Sequence, residues 1–102
     1  MKKGQFLLLK LAEECVEVAQ RASKQIQFGK DEIQRDQTES NAARLRNELM
    51  DLICVASMLH DVDELPRITV EELAHARLIK KQKLQKYLDL SASLGQLPEI
   101  KL

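Results

Sequence analysis

The sequence is poor in aromatic residues, glycine and proline. Aromatics make up 3% of its 102 residues, with no tryptophan, and there are only three glycines and two prolines. Folds built from short strands need many turns rich in glycine and proline, so this scarcity argues against a β fold. Hydrophobic residues still amount to 44%. They predict a modest core built from leucine, isoleucine, valine, alanine and methionine.

Cysteine and histidine occur only twice each. Cys15 and Cys54 fall inside apolar helical patterns, which predicts small buried thiols of an intracellular protein and not a disulfide framework. A structural zinc site needs four cysteine or histidine ligands at characteristic spacing, and these residues do not have it. We expect His60 at a helix end and His75 on the surface.

Net charge is also absent, because sixteen basic residues balance sixteen acidic ones. A protein that binds nucleic acid through its phosphates usually carries a strong basic field, so nucleic acid is not the expected partner. The apolar run at residues 6–9 is cut short by Lys10 and Glu13, and it forms neither a secretion signal nor a membrane span. We expect a cytoplasmic protein without a membrane partner.

Apolar residues recur at helical spacing in three stretches, at about residues 5–26, 42–60 and 70–90. The middle stretch is apolar nearly all round, so two further helices of this length cannot cover it. The expected fold is therefore all-α, a helical bundle of three to four helices per chain that is completed by oligomerisation. We expect one domain over residues 1–102 and a homodimer or homotetramer.

The segments outside these helices have distinct characters. Residues 27–41 are polar and predict a long loop, and loops of this length in small domains often belong to a functional site. Thr69 and Glu72 form a capping box that starts the third helix. Residues 91–102 form a weakly patterned C-terminal tail.

Two acidic pairs stand out in the first two helices. Glu14 and Glu17 are three residues apart, as are Glu48 and Asp51, so each pair lies on one helix face. Glu14 falls just outside the apolar stripe of its helix, whereas Glu48 points into the stripe of the second. A buried carboxylate is costly unless it is paired or bound to a metal. Antiparallel packing of the two helices would bring all four carboxylates together.

Such a cluster suits a hard divalent cation, because ligands that are all oxygen favour Mg²⁺, with Mn²⁺ as a possible substitute. Di-iron bundles also use helical glutamates, but they add a Glu-x-x-His motif that this sequence lacks. Protein-bound Mg²⁺ usually keeps waters and takes substrate phosphates. The carboxylates therefore indicate chemistry at a phosphoanhydride, and the plainer alternative is that they belong to solvated helix faces.

Two segments resemble a known enzyme family. Leu-Ala-Glu-Glu-Cys-Val-Glu-Val-Ala-Gln at residues 11–20 and Arg-Leu-Arg-Asn-Glu-Leu-Met-Asp-Leu at residues 44–52 are similar to the Glu-Glu-x-x-Glu and Glu-x-x-Asp motifs of MazG-like nucleoside triphosphate pyrophosphohydrolases. The small phage and integron members are the most similar. The resemblance covers about residues 5–90, with supporting matches at residues 22–24, 28–29, Asn41 and 80–88.

The resemblance implies Mg²⁺-dependent hydrolysis of a (deoxy)nucleoside triphosphate to the monophosphate and pyrophosphate, in a house-cleaning or nucleotide-pool role. It implies that four carboxylates ligate the metal, and that Glu13 holds a second metal or positions water. Glu13 or Glu14 would act as the catalytic base. The implied metal ligands are Glu14, Glu17, Glu48 and Asp51. The implied or possible substrate contacts are Lys24, Asn41, Arg44, Arg77, Lys80 and Lys81.

One departure from the family and several alternatives remain open. Thirty residues separate Glu17 from Glu48, slightly more than usual, and the surplus falls in the polar loop, where insertion costs little. A phosphoribosyl-ATP pyrophosphohydrolase or a hydrolase specific for dUTP or dCTP would share the fold. A helical interaction module without enzymatic activity is the alternative from a different class.

Overall fold

The structure, a computed structural model, describes all 102 residues and contains helices but no strands. Three α-helices follow one another: α1 (Lys3–Phe28), α2 (Asn41–Asp61) and α3 (Val70–Ser93). The predicted all-α class is confirmed. None of the three helices combines the length and the apolar character that crossing a membrane requires. The chain forms two compact units, Met1–Pro66 and Arg67–Leu102.

In the first unit, α1 and α2 pack side by side as an antiparallel pair. Gly4, at the start of α1, lies against the side chain of Glu64, which follows the end of α2. A Cβ atom at position 4 would overlap that side chain, so glycine allows the close approach. At the opposite end, Asn41 at the start of α2 binds Gly29, which follows α1.

The core of this helix pair is small. Leu7 and Leu59 are its buried apolar side chains, with 6% and 0% exposure. Further apolar residues in the interface, such as Leu11, Val18 and Leu52, are only half-buried. One partner helix covers one face of each helix, so the rest of the apolar surface of both helices stays open.

The open surface includes Val16 and Ile26 on α1 and Ile53 on α2, with 56%, 87% and 60% exposure. Cys15 and Cys54 are exposed as well. The prediction that both thiols are buried is therefore wrong for this chain, because the single partner helix leaves both cysteines uncovered. Exposed apolar surface of this kind marks interaction sites in many proteins.

The loop at residues 29–40 is held to the start of α2 by Asn41, which is 1% exposed. The backbone N–H of Asn41 donates to the carbonyl oxygen of Glu32 at 2.9 Å, and its Nδ2 donates to the carbonyl oxygen of Gly29 at 2.9 Å. Ser40 caps α2, since its hydroxyl accepts a hydrogen bond from the N–H of Ala43. The base of the loop is thereby fixed.

Replacing Asn41 with alanine is expected to lower the free energy of unfolding by about 1–3 kcal/mol, since the Gly29 carbonyl and the Glu32 carboxylate would lose the Nδ2 donor. Urea unfolding followed by circular dichroism would measure this. Asn47→Ala is the matched control, because Asn47 makes an exposed hydrogen bond to Glu39, and its effect should be much smaller. Equal effects from the two variants would show that Asn41 does not anchor the loop.

In the second unit, the predicted capping box at the start of α3 is confirmed. The Thr69 hydroxyl accepts a hydrogen bond from the N–H of Glu72, and the Glu72 carboxylate accepts one from the N–H of Thr69, both at 3.1 Å. The helix continues to Ser93, three residues beyond its predicted end. Most side chains of α3 are exposed.

The predicted C-terminal tail is helical up to Ser93 and then turns back along α3. Gly95 makes the turn with a φ of 73°, a conformation that favours glycine. The Gln85 side chain then holds the end of the chain. Its Nε2 donates to the carbonyl oxygen of Ile100 at 2.8 Å, and its Oε1 accepts from the N–H of Leu102 at 2.9 Å.

Candidate functional site

Three of the predicted carboxylates meet where α1 packs against α2. Glu14 and Glu17 come from α1 and Glu48 comes from α2, and one carboxylate oxygen of each lies within 4.8 Å of the others. Glu14 and Glu48 are half-buried, whereas Glu17 is exposed. These three residues are called the carboxylate cluster below. The packing of α1 against α2 brings them together.

The cluster shifts the protonation of two of its members. Hydrogen bonding to Glu17 raises the pKa of Glu48, and burial and the charges of Glu17, Asp51 and Glu14 raise it further. Burial is the main cause that raises the pKa of Glu14, followed by the charges of Glu17 and Asp51. Both groups resist ionisation because burial, hydrogen bonding and neighbouring negative charge favour the protonated form.

Two oxygens in the cluster have no hydrogen-bond partner. Oε2 of Glu14 and Oε2 of Glu48 are both buried and unpaired. Glu48 can donate to Glu17 only when one of the two carboxyl groups carries a proton. When they are ionised, the cluster lacks positive charge, so a cation would satisfy both the charge and the unpaired oxygens. A set of donors that are all carboxylate oxygens fits Mg²⁺.

Two other predicted acidic residues lie outside the cluster. Asp51 is exposed, but its charge contributes to the raised pKa values of Glu14 and Glu48, so it borders the cluster. Glu13 forms an ion pair with Lys10 at 2.9 Å on the surface of α1, and this contact raises the pKa of the Lys10 ammonium group. The structure does not bring Glu13 into the cluster.

A polar pocket of about 290 Å³ adjoins the cluster at Glu48. The loop forms one side of this pocket, and the first turns of α2 form the other. Arg44, one turn before Glu48, contributes its positive charge to the wall. The lining residues are Gln37, Thr38, Glu39, Arg44, Asn47 and Glu48. A cation held by the cluster and the Arg44 guanidinium would thus both face an anionic ligand in this pocket.

The remaining predicted contacts have different surroundings. Lys24 is half-buried, and its Nζ lies 5.5 Å from the centre of the Phe28 ring, in a cation–π arrangement. Asn41 is occupied with the loop, although its Oδ1 is buried without a partner. The last three contacts belong to the second unit, where they are exposed on α3. They are Arg77, Lys80 and Lys81.

The structure adds two residues to the predicted substrate contacts. Arg21 of α1 and Gln34 of the loop are linked by a hydrogen bond of 3.4 Å, and Gln34 also binds Arg44. Arg21 lies seven residues after Glu14 and so shares its helix face, a signal that a helical projection could have revealed. Gln34 belongs to a segment without periodicity, and no sequence signal marks it.

Comparison with models of known protein families, with curated proteins and with solved structures gave no match for this chain. The chemistry of the site must therefore be inferred from its own side chains. Those side chains combine clustered carboxylates, which can hold a hard cation, with a neighbouring polar pocket that contains an arginine. Such a combination can bind a metal–phosphate ligand and polarise it.

Proposed function

We propose that this chain is a Mg²⁺-dependent nucleoside triphosphate pyrophosphohydrolase of the MazG-like type. It would convert a (deoxy)nucleoside triphosphate and water to the monophosphate and pyrophosphate, in a cytoplasmic nucleotide-pool role. The observation that carries the proposal is the carboxylate cluster with its two buried, unpaired oxygens. The adjoining pocket and the resemblance of residues 11–20 and 44–52 to that family support it.

Each residue of the site has a defined part in this proposal. Glu14, Glu17 and Glu48 would hold Mg²⁺, with Asp51 beside them, and Mn²⁺ could replace it. When bound, Mg²⁺ neutralises charge on the phosphate oxygens and on the leaving pyrophosphate. Arg44 in the pocket wall binds a phosphate group.

Glu14 is our candidate for the general base. Its Oε2 is buried without a hydrogen-bond partner, so it can accept a proton from an attacking water while the other oxygen contacts the metal. Glu13, the other candidate for the base, is engaged with Lys10 instead. Glu14 is therefore better placed to take that proton.

The test is pyrophosphate release from a panel of eight ribo- and deoxyribonucleoside triphosphates, with Mg²⁺ and with EDTA. Release that requires Mg²⁺ is the expected result, and its ranking would give the preference for base and sugar. Adding phosphoribosyl-ATP would separate that specialised hydrolase from the general one, and a single strong response to dUTP or dCTP would indicate a narrow enzyme. No release from a folded protein that fails to bind Mg²⁺ would overturn the proposal.

We further propose that the active form is a homodimer or homotetramer. Met50, Ile53 and Met58 of α2 are exposed, at 44%, 60% and 50%, on the face turned away from α1. A second copy that packs there would complete the bundle and cover this apolar surface.

Replacing Ile53 with glutamate is expected to weaken this assembly by at least about 100-fold in its dissociation constant, because a charge would be buried in the interface. Analytical ultracentrifugation over a range of concentrations would measure the change. Ile53→Leu, which keeps the side chain apolar, is the control and should assemble normally. A wild-type protein that sediments as a monomer would contradict the oligomer.

An interaction module without enzymatic activity is the second candidate, and the exposed apolar residues of α1 and α2 favour it. In that case the carboxylates have no functional role. Glu48→Leu should then be tolerated, and Mg²⁺ should not stabilise the protein. Stabilisation by Mg²⁺ that disappears in this variant would exclude the second candidate.

A further inference from the structure

Two arginines from different helices converge on one neutral oxygen. Nη1 of Arg44 lies 2.7 Å from Oε1 of Gln34, and Nη1 of Arg21 lies 3.4 Å from the same atom. All three side chains are half-buried. Neither guanidinium forms an ion pair with a carboxylate, and both direct a donor at the amide of the loop glutamine.

This arrangement is better matched to an anion than to an amide. Guanidinium groups bind carboxylate and phosphate oxygens through charge-assisted hydrogen bonds, which are roughly twice as strong as bonds between neutral groups. Two cations that share one neutral acceptor also repel each other. A phosphate oxygen at the position of Gln34 Oε1 would relieve that repulsion and strengthen both hydrogen bonds.

The site between Arg21 and Arg44 is also close enough to the carboxylate cluster for one ligand to reach both. Arg44 lines the polar pocket together with Glu48, which belongs to the cluster. An anionic group between Arg21 and Arg44 would therefore lie next to the site proposed for the metal. Successive phosphate groups of one ligand could then contact the metal and the two arginines at the same time.

The loop can release Gln34 without unfolding the helices. The hydrogen bond from Asn41 N–H to Glu32 O closes the base of the loop. Residues 33–39 form the short segment that protrudes from this fixed base. Apart from the contacts of Gln34, this segment is attached to α2 by an exposed hydrogen bond of 2.7 Å from the Asn47 side chain to the Glu39 carboxylate. Segments held by a few exposed side-chain contacts open at low free-energy cost.

We propose that the side-chain oxygen of Gln34 occupies a binding position for a phosphate oxygen between Arg21 and Arg44. Residues 33–39 then form a gate that opens when a phosphate ligand displaces Gln34. The inference rests on the proposed function in one respect, since that function identifies the ligand as the phosphate chain of a nucleotide. Arg21 becomes a second phosphate-binding residue, and Gln34 becomes a residue that regulates access.

The gate can be tested by calorimetric titration of inorganic pyrophosphate into the full chain in EDTA, without a metal or a nucleotide. Gln34→Ala should bind pyrophosphate several-fold more tightly, because the competing amide is removed. Gln34→Glu should bind it at least about tenfold more weakly, because a carboxylate would pair with both arginines. Arg21→Gln and Arg44→Gln should each weaken binding by about tenfold.

Matched controls separate the gate from general charge effects. Gln20→Glu adds the same charge beside Arg21 on an exposed position, and Lys30→Gln removes an exposed loop cation outside residues 33–39; both should leave the affinity unchanged. Hydrogen exchange at residues 33–39 should accelerate when pyrophosphate binds. Equal affinities for wild type, Gln34→Ala and Gln34→Glu would overturn the gate, as would unchanged binding in Arg21→Gln.

The same titration distinguishes failure of the gate from failure of the proposed function. Pyrophosphate binding that responds to Gln34 and Arg21 as expected would support the gate even if the triphosphate panel gave no turnover. Conversely, turnover in the panel together with pyrophosphate binding indifferent to Gln34 would overturn the gate and leave the hydrolase in place.

Discussion

Replacing Glu48 with glutamine is expected to lower Mg²⁺-dependent pyrophosphate release by about 100- to 1,000-fold. Glu48 is the carboxylate that α2 contributes to the cluster, and glutamine keeps its size while removing its charge. Losing one charged ligand would forfeit part of the several kcal/mol of charge stabilisation that a bound metal supplies, and each 1.36 kcal/mol is tenfold in rate. Initial rates at saturating Mg²⁺ would measure the loss.

The same substitution should not unfold the metal-free protein. Hydrogen bonding to Glu17, burial, and the charges of Glu17, Asp51 and Glu14 raise the pKa of Glu48, and a neutral amide removes the repulsion from those charges. In EDTA the melting temperature of Glu48→Gln should therefore equal or exceed that of wild type. Asp31→Asn, which neutralises an exposed loop carboxylate, is the control and should keep full activity. Full activity in Glu48→Gln would show that the cluster does not serve the reaction.

Local patterns predicted the helices well. The spacing of apolar residues placed every helix end within three residues of its position in the structure. The Thr69 capping box predicted the first turn of α3, because a cap depends only on neighbouring residues. The meeting of Glu14, Glu17 and Glu48 was predictable for a similar reason, since a spacing of three puts each pair on one helix face and an antiparallel hairpin aligns those faces.

The rotation of α1 against its partner was not predictable from periodicity. Its apolar stripe is broad, and a single neighbouring helix covers only one edge of a broad stripe. In the structure, the edge that carries Glu14 packs against α2, which leaves Cys15 exposed and Glu14 half-buried. Periodicity identifies the stripe, but the choice of edge depends on packing between side chains distant in sequence.

The contacts made by the loop could not be predicted from the sequence, for a different reason. Gln34 binds residues that lie 13 and 10 positions away along the chain, in a segment without regular spacing. Contacts of this type depend on the path of the backbone, which here follows from the way Asn41 closes the loop. The pair formed by Arg21 and Arg44 therefore became visible only in three dimensions.

The stability of the metal-free protein is expected to fall as pH rises above the ordinary glutamate pKa of about 4.3. Glu14 and Glu48 have raised pKa values in the folded state, so between 4.3 and those raised values the folded protein binds more protons than the unfolded chain. Under that condition the free energy of unfolding decreases with pH. The contribution is complete at low pH and is lost once both groups ionise in the folded protein.

Bound Mg²⁺ should reverse the fall in stability with rising pH, because Mg²⁺ and protons compete for the carboxylate oxygens of the cluster. The stabilisation by Mg²⁺ should therefore grow as pH rises through the window, towards about 2.7 kcal/mol at a free concentration 100 times the dissociation constant. Urea midpoints at several pH values, with Mg²⁺ and with EDTA, would measure both trends. In Glu48→Gln the pH trend in EDTA and the effect of Mg²⁺ should shrink together, since both originate in the cluster. A Mg²⁺ effect that is independent of pH, or that persists in this variant, would place the cation elsewhere.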